Sequence, residues 1–177
     1  MNNIRISGLT EIESNMDMTD KVRVSSDELW QYSLDVYDAI KDIAITLQDN
    51  YGLNINVLLL SGYTQTLGCA IDEYDMHKLV AQTKNWQEDI TNPYRELRRE
   101  LKATITHEQY QSMLKVELAL EREEQWRLAQ TLPALPPHNV EAQANILSCL
   151  IAFQVPLEQL TEQELLTLYS IGQRVAH

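Results

Sequence analysis

The sequence predicts an all-α fold, an irregular helical bundle of about five or six helices followed by a C-terminal helical pair. Glycine and proline, which all-β folds need for their many tight turns, number only five each among 177 residues. Apolar residues recur at the 3.6-residue period of a helix in several segments. Three segments begin with serine or threonine followed three residues later by glutamate or glutamine, the signature of a helix N-terminus.

The first helix is predicted to begin at the capping box formed by Ser25 and Glu28 and to run to about Asn50. We expect a bend or break near Asp38 and a C-terminal stop at Gly52. The residues that share one face at helical spacing are Trp30, Leu34, Tyr37, Ala44 and Gln48.

A polar cluster is expected around the turn that follows this helix. Gln48 projects onto the centre of the apolar face, and Asp49 and Asn56 flank the turn. Buried polar side chains usually hydrogen-bond one another and hold helices in register, which is the interpretation we favour. The alternative is a small pocket whose polar groups converge on a ligand.

The segment 53–67 is apolar nearly all round, as a helix at the centre of a bundle would be. A buried strand is the alternative, because short apolar runs do not distinguish the two. The neighbouring helical patterns favour a helix, and Gly68 is its predicted end.

The next helix is predicted to begin at Asp72 or Asp75 and to end near Asn92. Asn92 is also a suitable cap for a new helix, with Pro93 in its first turn. Two separate helices are therefore expected on either side of this dipeptide.

A long helix is predicted from the capping box at Thr106 to about Leu132. Its apolar stripe comprises Tyr110, Met113, Leu114 and Leu128. At about 100° per residue, Glu117 and Glu121 fall near the middle of that stripe. A carboxylate directed at a core is costly unless it is paired or hydrogen-bonded, so a partner should lie opposite.

Arg98 is the predicted partner of these glutamates. It projects onto the edge of the apolar face of the preceding helix, and Arg95 lies further round. A short link makes the two helices antiparallel neighbours. We therefore expect Arg98, together with Arg95, to pair with Glu117 or Glu121.

Four parts of the chain are distinguished by composition. Residues 1–24 are polar without a clear period and are predicted to be a flexible arm. The bundle occupies 25–132, and three prolines make 133–138 a stiff connector. The helical pair of 139–177 is expected to pack on or near the bundle, with Thr161 and Glu164 capping its second helix.

The composition excludes several function classes. A formal net charge of −12 opposes binding to nucleic acid and to anionic membrane surfaces. The N-terminus lacks the basic start and apolar run of a signal peptide, and no apolar run is long enough to cross a bilayer. Cys69 and Cys149 lie in apolar surroundings, as buried free thiols of a reducing compartment do. We expect a cytoplasmic protein.

Recognised catalytic and ligand-binding motifs are missing from the sequence. It contains no phosphate-binding glycine loop, nucleophile elbow, zinc-protease helix or calcium loop. Glu73 and His77 are four apart and could face one another, but two residues do not make a metal site. We therefore predict no catalytic residues, no metal and no cofactor.

Three strings resemble an uncharacterised family of small proteobacterial proteins, described only as a domain of unknown function. They are LWQYSLDVYDAI with TLQDNYGLNINVLLL, NWQEDITNPYRELRRELK, and VELALERE, and the resemblance covers about residues 28–125. It implies a bacterial, cytoplasmic, helical protein and no particular reaction. Its most specific residues are Leu47, Gln48, Asp49, Gly52, Asn56, Trp86, Pro93, Arg95, Arg98, Lys102, Glu117 and Glu121.

Two functions compete, and the first is favoured because no recognised catalytic geometry is present. The first is a non-catalytic interaction or regulatory module that acts through a protein partner. The second is a small-molecule-binding protein or enzyme with a polar pocket inside the bundle. That pocket would be built from Gln48, Asp49, Asn56, Arg95, Arg98, Glu117 and Glu121. A homodimer is a third, weaker alternative.

Overall fold

A computed structural model describes residues 21–137 and 144–173, and in them the chain is all-α, as predicted. A π-helical turn, Gln87–Thr91, joins α3 to α4, and a 3-10 turn, Leu157–Gln159, precedes α7. No helix in these residues is long and apolar enough to cross a membrane. The helices are α1 Ser26–Tyr51, α2 Ile55–Thr66, α3 Glu73–Trp86, α4 Asn92–Leu101, α5 His107–Thr131, α6 Ala144–Ala152 and α7 Glu162–Ser170.

Side-chain caps begin most of these helices where the sequence predicts them. Thr106 and Thr161 each form a complete capping box, which satisfies backbone donors that the first helical turn leaves free. Gly52 ends α1 with φ 67°, a left-handed conformation that glycine adopts without steric cost. The other side-chain caps are Ser25, Asn54 and Asp72.

Helix α2 lies at the centre of the fold and contacts α1, α5 and α6. It is buried on every side, which confirms the helix and rules out the alternative strand for 53–67. Its leucines, Leu58 to Leu60, join the main core. Because neighbours surround α2, polar groups at its ends are drawn into the interior with it.

The C-terminal helices pack onto this body. Asn145 on α6 donates to the carbonyl oxygen of Cys69 at 2.7 Å and accepts from the backbone N–H of Ile71 at 3.0 Å. Near α7, Tyr32 donates a 2.5 Å hydrogen bond to the carbonyl oxygen of Ile171. A Cβ on Gly62 would lie 2.9 Å from Cγ1 of Ile171, so this close approach requires glycine.

The predicted break in α1 is wrong, because the helix continues through Asp38 without interruption. No proline or glycine lies between its ends, so nothing disrupts the backbone hydrogen bonds. The predicted apolar face is also rotated by about one residue: Leu34 is exposed while Ser33 is buried. The buried side of α1 consists of Leu29, Ser33, Ile40, Ile43, Ala44 and Leu47.

The predicted start of a helix at Asn92, with Pro93 in its first turn, is confirmed, but the expected interruption between it and the preceding helix is wrong. Asn92 and Thr91 have helical dihedral angles, and the π turn carries the chain from α3 into α4. A proline inside a helix lacks the backbone donor and its ring crowds the carbonyl four residues earlier. The wider π turn ends at Thr91, two residues before Pro93, and contains Asp89, the residue whose carbonyl the ring would crowd.

Part of the predicted N-terminal arm belongs to the body. Val22 and Leu135 exchange two backbone hydrogen bonds of 2.7 and 2.8 Å, and Val24 is buried. The connector is likewise in contact with the bundle, since Pro137 forms a bridge with Cys69. The rest of the arm, the end of the connector and residues 139–143 and 174–177 lie outside the described residues.

Candidate functional site

An open cleft of about 300 Å³ lies between α1, α2, α4 and α5, and we call it the α1–α5 cleft. The sequence folds this way because α1 and α5 both direct an apolar face with interspersed polar residues toward α2. Its lining is Trp30, Ser33, Leu34, Tyr37, Ile55, Asn56, Leu59, Arg95, Leu114, Glu117, Leu118, Glu121 and Gln125.

Two arginines of α4 neutralise two glutamates of α5 at one side of the cleft. Arg95 donates from Nε to Glu117 at 3.1 Å and from its terminal nitrogen to Glu121. Arg98 donates to the second oxygen of Glu117 and, at 2.5 Å, to the hydroxyl of Tyr110. All four charged side chains are largely buried, so the charges depend on one another for stability.

A hydrogen-bonded amide chain extends this network toward the core. The side-chain nitrogen of Asn56 donates to Glu121 at 2.6 Å and to Glu124 at 2.7 Å. Asn54 donates to the other oxygen of Glu124 at 2.7 Å. Gln125 donates from its side-chain nitrogen to the side-chain oxygen Oδ1 of Asn56 at 3.0 Å. The network therefore links α2, α4 and α5 through side chains alone.

The floor of the cleft contains one polar atom that this network does not satisfy. The side-chain nitrogen of Gln125 is fully used, because it also donates to the hydroxyl of Ser33 at 2.9 Å. Its carbonyl oxygen Oε1 is buried and has no hydrogen-bond partner within the described part of the chain. An unsatisfied buried acceptor typically costs about 1–3 kcal/mol.

Burial raises the pKa values of Glu124 and Tyr37 near the cleft. Burial raises the pKa of Glu124 to about 7, and the charge of Glu121 acts in the same direction, while the amides of Asn54 and Asn56 oppose it. Burial also raises the pKa of the Tyr37 hydroxyl, with a further contribution from Glu121. Both groups are thus held where a negative charge is disfavoured.

The rim of the cleft is apolar. Leu34 on α1 and Leu118 on α5 are 51% and 52% exposed. Trp30 borders the same opening, with the guanidinium of Arg122 at 5.9 Å from its ring centroid. Covering these half-exposed leucines would remove apolar surface from water, which is energetically favourable.

The structure brings together five of the seven residues singled out from the sequence: Asn56, Arg95, Arg98, Glu117 and Glu121. Gln48 and Asp49 are not in this network. They line a second surface depression with Gln87, Asn92 and Arg95, so that Arg95 borders both this depression and the network. Gln48 is only half buried there, and Asp49 is exposed.

Four participants were missed from the sequence: Ser33, Asn54, Glu124 and Gln125. Glu124 and Gln125 lie three and four residues after Glu121, so the same helical period places them on its face. Asn54 has a recognisable role as the N-cap of α2, accepting from the N–H of Val57 at 3.0 Å.

The polar side chains of the cleft are bonded mainly to one another. Both oxygens of Glu117 are engaged by arginines, and the hydroxyl of Ser33 donates to the carbonyl oxygen of Leu29 at 2.8 Å. No nucleophile is therefore hydrogen-bonded to a base at this cleft. Among the described residues, no group of three or more histidine, cysteine, aspartate or glutamate residues is placed to hold a metal ion.

The fold and the cleft define a small all-α protein with a charged network inside its bundle. The chain belongs to a family described as a protein of unknown function, DUF2390, whose family model matches residues 28–128. This confirms the resemblance inferred from the sequence, and the matched span includes the whole network from Ser33 to Gln125. Comparisons with curated proteins and with solved structures find no match.

Proposed function

We propose that this protein is a non-catalytic interaction module whose α1–α5 cleft receives an apolar surface of a protein partner. The observation that carries the proposal is the pair of half-exposed leucines, Leu34 and Leu118, on the rim of a cleft of about 300 Å³. A helix laid along the groove would contact α1 and α5 together and cover both side chains.

The charges of the floor support a binding role. Glu117 and Glu121 are neutralised by Arg95 and Arg98, so an apolar group can enter without leaving a bare charge beside it. The ion pairs also fix the separation of α4 and α5. The cleft would therefore be preformed, which lowers the entropic cost of association.

The cellular setting belongs to the same proposal. We also propose a bacterial, cytoplasmic location, which the family resemblance implies and the burial of the two cysteines supports. Cys69 and Cys149 are both fully buried among apolar side chains, as cysteines that pack as small apolar residues are. Formal net charge of −12 makes protein a more suitable partner than nucleic acid.

Substitution of the rim leucines tests the proposal. The full chain, tagged and expressed in its own source cells, is compared with Leu34→Asp and Leu118→Asp. Burying the exposed half of one leucine contributes about 1 kcal/mol, and an aspartate in its place would add the cost of burying a charge, so each change should lower recovery of the same partner at least about tenfold. Leu166→Asp is the matched control, because Leu166 is also 52% exposed but lies on α7.

Two results would contradict the proposal. One is a partner retained equally by all variants, and the other is a partner lost from the Leu166 control as well. Light scattering of the purified chain identifies the case in which the partner is a second copy. A two-fold mass that Leu118→Asp reduces to the monomer would make the cleft a dimer interface.

A small-molecule ligand in the same cleft is the second candidate function. The unpartnered oxygen Oε1 of Gln125 favours it, because a ligand donor reaching that atom would complete the floor. The volume of about 300 Å³ lies at the lower end of the range for ligand pockets. Native mass spectrometry of the purified chain would show a bound mass that denaturation releases and that Gln125→Met weakens.

A further inference from the structure

A second cleft, of about 360 Å³, borders α5 near the π turn, and we call it the π-turn cleft. Its residues come from α3, the π turn and α5, so it is separate from the α1–α5 cleft. The lining is Gln82, Thr83, Asn85, Trp86, Asp89, Ile90, Glu124, Arg127 and Leu128. Ile90, Trp86 and Leu128 give it an apolar side, and Glu124 and Asp89 give it an acidic side.

Glu124 is a buried carboxylate without a cation of its own. Glu124 is 3% exposed, and no lysine, arginine or histidine of the described residues forms an ion pair with its carboxylate. Its two oxygens accept one hydrogen bond each, from Asn54 and Asn56. A carboxylate offers about four acceptor positions, so two remain.

The two arginines near Glu124 form ion pairs with other glutamates. Arg95 contacts Glu117 and Glu121. Arg127 lines the cleft itself, but its Nε donates to Glu123 at 2.9 Å and its guanidinium lies 4.5 Å from the centroid of the Trp86 ring. The guanidinium of Arg127 therefore lies over the Trp86 ring and is paired with Glu123. It forms no ion pair with Glu124 or Asp89 on the acidic side of the cleft.

The side chain of Trp86 supplies a second observation. Its indole N–H is buried and has no hydrogen-bond partner within residues 21–137 and 144–173. A tryptophan N–H in the interior normally has an acceptor, and its absence costs about 1–3 kcal/mol. The cleft therefore combines an unsatisfied donor with a carboxylate that lacks a cation.

We propose that the π-turn cleft is a binding site for a small organic ammonium compound. The ammonium group donates to the free acceptor positions of Glu124, with the exposed carboxylate of Asp89 nearby to attract it. The apolar body of the compound packs against Ile90 and Leu128 and beside Trp86, whose ring face is already covered by the guanidinium of Arg127. This site is independent of the partner surface proposed for the α1–α5 cleft.

The test uses 2-phenylethylamine as the probe and 2-phenylethanol as its neutral counterpart. The full chain, labelled with ¹⁵N, is titrated with each compound, and the indole signal of Trp86 is assigned through Trp86→Phe. We expect 2-phenylethylamine to saturate one site and to shift that signal more than those of Trp30 and Trp126. The alcohol should bind at least about tenfold more weakly, because it brings no charge to Glu124.

Two substitutions locate the interaction. Glu124→Gln removes the carboxylate and should weaken 2-phenylethylamine at least about tenfold. Glu108→Gln, at an exposed glutamate in the first turn of the same helix, is the control and should leave the affinity unchanged. Asp89→Asn should weaken binding a few-fold without disturbing the core, because Asp89 is exposed.

Binding should also depend on pH. Because burial raises the pKa of Glu124 to about 7, affinity should rise roughly tenfold between about pH 6 and about pH 8. The other groups facing Glu124 are the Glu121 carboxylate and the Arg95 guanidinium, which are paired with each other. Equal binding of the amine and the alcohol, equal binding by Glu124→Gln, or no saturable shift at Trp86 would overturn the site.

Discussion

Glu124 makes the stability of this protein depend on pH in an unusual direction. An ordinary glutamate has a pKa of 4.5, whereas burial raises the pKa of Glu124 to about 7 in the folded chain. The folded state therefore binds a proton more tightly than the unfolded state does. Glu124 contributes stability that is fully present below about pH 4.5 and is lost as pH rises through 7. The difference in pKa corresponds to about 3 kcal/mol.

Glu124→Gln isolates this contribution. Its amide cannot ionise, so the stability of wild type minus that of Glu124→Gln should fall by about 3 kcal/mol between about pH 4.5 and about pH 8. The absolute stability of the variant also contains the cost of mismatched contacts to Asn54 and Asn56, which does not vary with pH. Other titrating groups act in both proteins and cancel, apart from the neighbours Glu121 and Arg95.

Urea unfolding followed by tryptophan fluorescence at several pH values measures the two stabilities. For Glu108→Gln, on the exposed first turn of α5, the difference from wild type should change much less across the same range than for Glu124→Gln. A change for Glu124→Gln no larger than that of this control would refute the reasoning. So would a difference that grows with pH, because Glu124 would then be stabilised as a carboxylate.

Two further predictions concern the ion pairs and the π turn. Arg98→Ala leaves Glu117 with one cation fewer, and unfolding by urea should show a loss of roughly 3 kcal/mol. Lys84→Ala, in an exposed pair with Glu88, should cost less than about 1 kcal/mol, and equal losses for the two would contradict the buried pairing. The five residues of the π turn cover about the same angle as four α-helical residues, so deleting Glu88 should leave an α-helical turn and keep α4 facing α5. Arg95 should then still pair with Glu117, and a loss of stability as large as that of Arg98→Ala would contradict this geometry.

Much of the fold could be predicted from local signals. Capping boxes at Thr106 and Thr161 mark two helix starts, and the continuous apolar character of 53–67 identified the central helix. These signals act within a few residues of the chain, where propensity and capping decide the structure.

The π turn and the orientation of α1 could not be predicted in the same way. Pro93 after Asn92 is compatible both with a new helix and with a tolerated proline, and packing of α4 against α5 decides between them. In α1, hydrophobicity alone favours Leu34 over Ser33. Ser33 is buried because its hydroxyl is satisfied by the carbonyl oxygen of Leu29 and by Gln125.

About half of the residues in the candidate site could be predicted from the sequence. Glu117 and Glu121 on an apolar stripe required a partner, and Arg98 lay within reach on the next helix. The hydrogen bond from Asn54 and the burial of Glu124 depend on the position of α2 between α1 and α5. That position is set by tertiary packing and cannot be predicted from local sequence signals, and the same is true of the volumes of both clefts.

Site-specific photocrosslinking at Leu118 tests the central claim most directly. A benzophenone amino acid placed there, in the full chain and in its source cells, should crosslink to one partner protein. The same group at Leu166, which is equally exposed on α7, should not crosslink to it. A single partner attached at Leu118 and absent at Leu166 is the predicted result. No partner at Leu118, or the same partner at both positions, would contradict the account of the α1–α5 cleft.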